Sequence, residues 1–416
     1  MSFLSAEQIQ RIRTDHGTPV YVYDEATLLE QARKALAFPT PSGLTVRYAM
    51  KALPTGGIVR LLNRAGLHID ASSGFEAERA LAAGVPAEQI QITAQELPKD
   101  LKGLVDRGVL FNACSALQLE AYGRLFPGTE VSVRINPGLG SGHNNRTNVG
   151  GPSSSFGIWH EQLPQVLEIA AEYQLKLTGM HTHIGSGGDP EVWKHCATLT
   201  LEIAARMPDV TRLSLGGGFK VARLESESSA NLQEIGEAVL PMLEDFEERQ
   251  GRKLHLEIEP GTFLVANAGV ILANVIDVVD TGEGGYHFVK IDSGMTELLR
   301  PNLYGAQHPI EIVPADGDMA RDQRETLVAG HCCESGDVLT PEPGNPEGLL
   351  PRLLPAARPG DTLVIGGAGA YCSGLQGKNY NSFPEAPEVL LTTGGELKLL
   401  RRRQDPAQIT QNEILD

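Results

Sequence analysis

LTVRYAM (44–50), LHIDASS (67–73), IQITAQ (90–95), LFNACS (110–115), VSVRINP (131–137), LTGMHTHIG (177–185), RLSLGGG (212–218) and LHLEIEPG (254–261) are short runs with strand character. Between most of them the chain turns amphipathic. FEAERALAAG (75–84), LKGLVDRG (101–108), ALQLEAYGRL (116–125), EQLPQVLEIAAEYQ (161–174), WKHCATLTLEIAARM (193–207) and LQEIGEAVLPMLEDFEERQG (232–251) place apolar residues three and four apart, the period of a helix with one buried face. Alternating strands and helices imply parallel strands joined by helical crossovers. Eight such units point to a closed (β/α)8 barrel of the TIM type rather than an open sheet.

After about residue 265 the pattern changes. VILANVIDVVD (270–280), YHFVKIDSG (286–294), IEIVPA (310–315), RETLVAG (324–330), DTLVIGG (361–367) and PEVLLTT (387–393) are strand-like and separated by Gly, Pro and Asp turns. They predict a mainly antiparallel β domain. TPVYVYD (18–24) is a strand before the barrel begins and can join that sheet. The expected division is therefore a barrel over 26–265 and a discontinuous β domain from 1–25 plus 266–416.

The chain has 416 residues, with 35 Lys+Arg against 52 Asp+Glu, a net charge of −17. Such a surface is repelled by phosphate backbones and anionic bilayers, which argues against nucleic acid or membrane as partner and leaves a small ligand in a local pocket. No apolar run approaches the roughly 18 residues of a membrane span, and the N-terminus lacks a signal-peptide core. The 46 glycines, about 11% against a usual ~7%, indicate tight turns or backbone that approaches a ligand. The 5 cysteines show no paired or metal-ligand spacing, which suits a reducing cytoplasm.

Barrel chemistry collects at the C-terminal strand ends. Those ends carry Lys51, Asp70, Arg134, Asn136, His181, His183, the triplet Gly216–Gly218 and Glu259. A desolvated Lys51 can form an imine; the alternative is a surface lysine just past a strand. The glycine triplet either lets backbone N–H groups approach a phosphate or makes a tight loop. His181 and His183 share one side of a strand, so a barrel metallohydrolase is a competing reading, short of further ligands. In HCCESGD (331–337) Cys333 is a thiol beside a carboxylate, or else a buried structural cysteine. Tyr371 lies in the glycine-rich bend GAGAYCSG. Arg300 and Tyr304 in RPNLYG can grip a carboxylate, or mark a surface turn.

Together these motifs resemble the diaminopimelate decarboxylase family within the group-IV, fold-type III pyridoxal-phosphate decarboxylases. The likeness runs from TPVYVYD at residue 18 to residue 391 and rests on YAMKA, DASSGFEAERAL, RINPG, GHNNRTNVGGPSSSFGIW, HTHIGSG, LGGGF, EIEPG, MTELLRPNLYGAQHPI, CCESGD, GAY and NYNSFPEAPEVLL, in that order. It implies decarboxylation of meso-2,6-diaminopimelate to L-lysine and CO2, the last step of lysine biosynthesis, on pyridoxal 5′-phosphate. By position, Lys51 matches the lysine that holds the cofactor, Glu259 the carboxylate on its ring nitrogen, and His183 the imidazole on its ring face. Ser186, Gly217, Gly261 and Thr262 match the phosphate cradle, and Tyr371 also lies at the cofactor. Cys333 matches the proton donor, Arg300 and Tyr304 the grip on the distal carboxylate, and Glu334 the partner of the distal ammonium. The resemblance further implies a homodimer with shared active sites, the Cys–Glu segment serving the partner.

Two positions depart from that family. Thr262 stands where relatives carry arginine, so Arg134, Lys378 or another basic group must compensate, or affinity falls. Ser155 stands where relatives often carry lysine. Other decarboxylases of this scaffold, for ornithine, arginine or carboxynorspermidine, are the nearest alternative, and Arg300 speaks against a purely basic substrate. A racemase is disfavoured by Glu259, and a non-catalytic cofactor carrier by the region after 265.

Overall fold

In a computed structural model, which describes residues 3–139, 150–183 and 187–415, the chain divides into two compact units. One comprises residues 29–221 and 228–264; the other comprises 1–28, 222–227 and 265–416. The first strand, β1 (Val20–Asp24), belongs to the second unit.

The larger unit is the (β/α)8 barrel. Its strands are β2 (Leu44–Ala49), β3 (His68–Ala71), β4 (Ile90–Thr93), β5 (Leu110–Ala113) and β6 (Glu130–Asn136), with a two-residue extension β7 (Ile158–Trp159). They continue with β8 (Lys176–His181), β9 (Arg212–Ser214) and β10 (His255–Ile258). Neighbours pair in parallel in the order β2, β3, β4, β5, β6, β8, β9, β10, and β10 returns to β2, so the sheet closes. All eight runs read from the sequence are barrel strands. The intervening amphipathic runs are helices, among them Gly74–Ala82, Ala116–Leu125, Leu163–Glu172, Pro190–Ala204 and Leu232–Gln250. Side-chain caps start several of them: Ser73, Ser115 and Asn231 accept N–H groups of the first turn.

The smaller unit is built on β11 (Gly269–Asp280), β12 (His287–Ile291), β13 (Ile310–Val313) and β14 (Gln323–Ala329), the hairpin β15 (Pro341–Glu342) with β16 (Asn345–Leu349), and β17 (Arg352–Pro355), β18 (Thr362–Ile365), β19 (Glu388–Leu391) and β20 (Leu397–Arg401). The sheet runs β17, β14, β12, β11, β1, β19, β20, with β18 on β11 and β13 on β18. Most pairings are antiparallel; β1 with β19 and β12 with β14 are parallel. The N-terminal strand thus sits between two C-terminal ones. Ahead of it the helix Ala6–His16, closed by a Ser5–Gln8 capping box, lays Ile9 and Ile12 on Val20, Val22, Val270, Leu272, Val364 and Val389. No described helix is long and apolar enough to cross a membrane.

Apolar and polar residues alternate along the barrel strands, and the polar ones are nonetheless buried: Arg47, Asp70, Gln91, Asn112, Ser132, Arg134, His181, Ser214, Glu257 and Glu259. The apolar set faces the helices, which leaves the polar set for the barrel interior. Arg47 binds Glu257 there through two bonds of 3.0 Å from Nε and Nη2, and Arg212 adds a third contact at 3.4 Å. Burial would raise the Glu257 carboxyl, but Arg47 outweighs it and holds the group below its usual range. Glu257→Ala leaves Arg47 charged without its partner and is expected to cost about 3–5 kcal/mol, read from denaturant unfolding. An unchanged midpoint would remove this pair from the barrel's stability.

Candidate active site

Two residues past Glu257, Glu259 directly follows the last barrel strand with its carboxylate buried. Its Oε2 lies 2.9 Å from His181 Nε2 and its Oε1 accepts the Ser214 hydroxyl at 2.8 Å. Ser214 Oγ in turn accepts the Gly216 N–H at 3.1 Å. Burial would raise the Glu259 carboxyl, yet His181 and Ser214 outweigh it, so the group is held well below the usual carboxylate range and stays ionised.

His183 lies beside this carboxylate. Its Nδ1 accepts the Gly217 N–H at 3.0 Å. Burial, then the charges of Arg134 and Lys51, hold the ring well below its usual range, so it is neutral. The glycines are dictated by contact: a Cβ at Gly216, where φ is +72°, would meet His183 Nδ1 at 2.5 Å, and one at Gly217 would meet the Glu259 carbonyl oxygen at 2.2 Å. The rings of His181 and His183 are 6.4 Å apart, one committed to Glu259 and the other to Gly217. No three His, Cys, Asp or Glu side chains converge in a metal-holding group among the described residues.

Lys51 stands in the one-turn helix Met50–Ala52 directly after β2, its neighbours buried and itself exposed. The desolvated lysine anticipated from YAM is therefore corrected: the apolar flanks are buried, and the lysine itself is exposed. Its charge acts on Asp70, Glu76 and His183. Asp70 is buried at the end of β3 and pushed up to about 7, by burial first and then by the Glu259 charge. Glu76, which the sequence reading passed over, binds the Ser72 N–H at 2.7 Å from the first turn of Gly74–Ala82. Its signal was the S-x-x-E capping pattern at Ser73. Ser214 was also missed, because nothing local marks a strand serine as a carboxylate donor.

Among the buried polar atoms of this mouth without a hydrogen-bond partner are Asp70 Oδ1, Arg134 Nη2 and His181 Nδ1. Arg134 otherwise lies over the Phe156 ring at 4.9 Å. Gly261 packs against Ala49 and Ala52, and Thr262 opens the short helix Thr262–Val265. Ser155 accepts from Gln95 at 3.1 Å. Ser186 and most of the GHNNRTNVGG motif lie outside the described residues. A lysine, an ionised carboxylate, a neutral imidazole and close backbone approach can together hold an aldehyde, a protonated ring nitrogen, a ring face and a phosphate.

The remaining candidates belong to the β unit. Arg300 and Tyr304 begin and end the helix Arg300–Tyr304, both half-buried. Tyr371 has φ of 55°, a left-handed conformation rare outside glycine. Cys333 and Glu334 are exposed, against the alternative of a buried structural thiol; Cys332 is the buried one. Asn381 accepts the Cys333 N–H at 2.8 Å. Lys378 is ion-paired with Glu385 at 2.7 Å.

Asp70 carries a pH dependence whose sign is fixed. Between the usual 3.8 and about 7 the folded chain retains a proton that the unfolded chain has released. Stability from this group therefore falls as pH rises across that window. Asp70→Asn is expected to remove that slope, so that thermal midpoints of variant and wild type, without cofactor, diverge from pH 4 to pH 7. Parallel curves would sink the assignment.

Residues 26–266 match the family model described as pyridoxal-dependent decarboxylase, pyridoxal binding domain. The chain is 38% identical to the diaminopimelate decarboxylase of Streptomyces coelicolor, over 99% of this chain and 92% of that protein. A crystal structure of a diaminopimelate decarboxylase superposes with a TM-score of 0.92 at 36% identity, covering 99% of this chain and 97% of the other. The Helicobacter pylori diaminopimelate decarboxylase, crystallised with L-lysine, gives 0.84 at 26% identity, covering 97% and 98%. With a lysine and an ionised carboxylate in one barrel mouth and likeness along nearly its whole length, the chain belongs to the diaminopimelate decarboxylase family of pyridoxal-dependent decarboxylases.

Proposed function

We propose that this chain is a carboxy-lyase that decarboxylates meso-2,6-diaminopimelate to L-lysine and CO2 with pyridoxal 5′-phosphate. The observation that carries the reading is the buried Glu259 carboxylate, kept ionised by His181 and Ser214 in the mouth whose Asp70 and His183 feel the Lys51 charge. Bound pyridoxal phosphate supplies an electron sink for the pair left as CO2 departs.

In this reading Lys51 holds the cofactor covalently. Glu259 pairs with the ring nitrogen and keeps it protonated, as only an ionised carboxylate can. His183, neutral and oriented by Gly217, offers its face to the ring without adding positive charge. Ser186, Gly217, Gly261 and Thr262 make the phosphate cradle, with Tyr371 beside the cofactor. Arg300 and Tyr304 bind the distal carboxylate of the substrate, and Glu334 its distal ammonium. Cys333 returns a proton to the carbon that lost CO2; its exposure supports this, because a proton donor must reach substrate. The β unit thus contributes substrate and dimer contacts. The same exposure of Cys333 and Glu334 suits a homodimer in which this loop serves the site of the partner. Five unpaired cysteines suit the cytoplasm.

The deciding assay is CO2 release by cofactor-loaded protein from meso-diaminopimelate, lysine, ornithine and arginine side by side, with activity expected on the first alone. Lys51→Ala is expected to abolish covalent attachment, read by borohydride reduction and peptide mass spectrometry; a reduced adduct on another lysine would reassign the role. Cys333→Ala is expected to bind cofactor normally and to lose about a hundredfold or more in kcat. Wild-type turnover would dismiss the thiol as donor.

A further inference from the structure

His308, in the GAQHPI run, is fully buried in the β unit. Its Nδ1 lies 2.9 Å from the Gly366 carbonyl oxygen and its Nε2 lies 3.3 Å from Arg300 Nε. A carbonyl only accepts, so the proton sits on Nδ1 and the bare Nε2 accepts from the guanidinium. Burial, then the charges of Arg223 and Arg300, hold His308 well below its usual range, which agrees with a neutral ring. The next carbonyl along, that of Gly367, accepts from Arg223 Nε at 3.1 Å. Gly367 has φ of +61°, and a Cβ there would lie 2.9 Å from Arg223 Cγ and Cδ, so the arginine stem crosses the bend where only glycine leaves room. Two guanidinium groups therefore hang from successive carbonyls, one directly and one through an imidazole.

Their surroundings leave that charge unanswered. Arg223 Nη2 is shut off from solvent with no partner. Burial first, and the Arg300 charge second, pull the Arg223 guanidinium down to about 10. Glu227, the acid that acts on Arg223, has its Oε2 taken by the backbone N–H groups of Arg223 and Leu224 at 2.7 and 3.1 Å. The acceptors of both guanidinium groups, a backbone carbonyl and a neutral imidazole, carry no charge. Like charges held together in a partly desolvated place repel, and an oxyanion that reaches both relieves the repulsion.

We infer that Arg223 and Arg300 form one two-guanidinium receptor for a carboxylate, with His308 as the positioning residue for Arg300 and Arg223 as a specificity-determining residue for a dicarboxylic amino acid. The choice of substrate rests on the reaction proposed above; the receptor does not. A second oxyanion, the cofactor phosphate, shares the chemistry, and the experiment separates the two.

The test uses cofactor-loaded protein, wild type and Arg223→Gln, with pimelate binding followed by calorimetry and diaminopimelate turnover followed by CO2 release. Arg223→Gln is expected to weaken pimelate binding and raise KM at least about tenfold, most of the loss falling on KM rather than kcat, with cofactor affinity unchanged. Arg223→Lys, which keeps charge but not the fork, is expected to fall between. His308→Gln can still present an acceptor to Arg300 and is expected to raise KM less than His308→Leu. Pimelate affinity equal to wild type in folded Arg223→Gln overturns the inference, and so does a loss confined to cofactor affinity. If wild type binds pimelate through Arg223 yet releases no CO2 from diaminopimelate, the receptor stands and the proposed reaction falls.

Discussion

A carboxylate buried just past the last strand of a barrel is the constraint on which the rest depends. Glu259 would take up a proton on burial unless donors met it. They come from two other strands. His181 is the register partner of Ser214 across β8 and β9, and Ser214 is the register partner of Glu257 across β9 and β10. Glu259 therefore sits one pleat beyond both donors, within reach of each. A slip of one residue between β9 and β10 would turn one side chain toward the helices and strand the other. Barrel closure fixes this register, because each strand is paired on both sides.

That single fixed charge sorts the other groups of the mouth. Burial first, and this charge second, raise Asp70, so environment alone pushes two carboxyl groups near strand ends in opposite directions. Positive charge is sorted likewise. Burial, then the charges of Arg134 and Lys51, keep His183 neutral, while the Gly217 N–H fixes which ring nitrogen carries the lone pair. A polar interior below, with Arg47, Glu257, Arg212 and Ser132 bonded across strands, supports this layer where apolar packing would otherwise be expected.

The fold was legible because the eight barrel strands alternate with helical periodicity, and because TPVYVYD is a strand that precedes the eight repeating units. The edge strands β17 and β20 were not legible: RLLP and LKLLR carry charge and proline, the very features that keep an edge from pairing further. In the site, residues at strand ends could be read directly, since the barrel dictates where they gather. Ser214 and Glu76 could not, because each matters through a partner that the sequence does not name. Thr262 illustrates the limit. Its missing charge is visible in the sequence, whereas the ion pair that ties Lys378 to Glu385 is not.

The adjacent cysteines show how the β unit makes one residue type serve two ends. Asp337 reaches back to accept the N–H groups of Cys332 at 2.9 Å and Met295 at 2.7 Å, and His331 stacks on Phe383 with ring centres 3.7 Å apart. These contacts hold the start of the loop inward, and burial, with Asp337, pushes the Cys332 thiol up to about 12. Asn381, itself in the left-handed region at φ of 50°, then takes the next N–H and turns Cys333 outward. Asn379 and Ser382 flank it in the same unfavourable conformation, so the surrounding contacts must offset strain at three of four positions. Such strain persists where a fixed loop geometry is worth more than a relaxed one. The loop it fixes is the one that leaves a thiol and a carboxylate, Cys333 and Glu334, facing out of the unit rather than into its core.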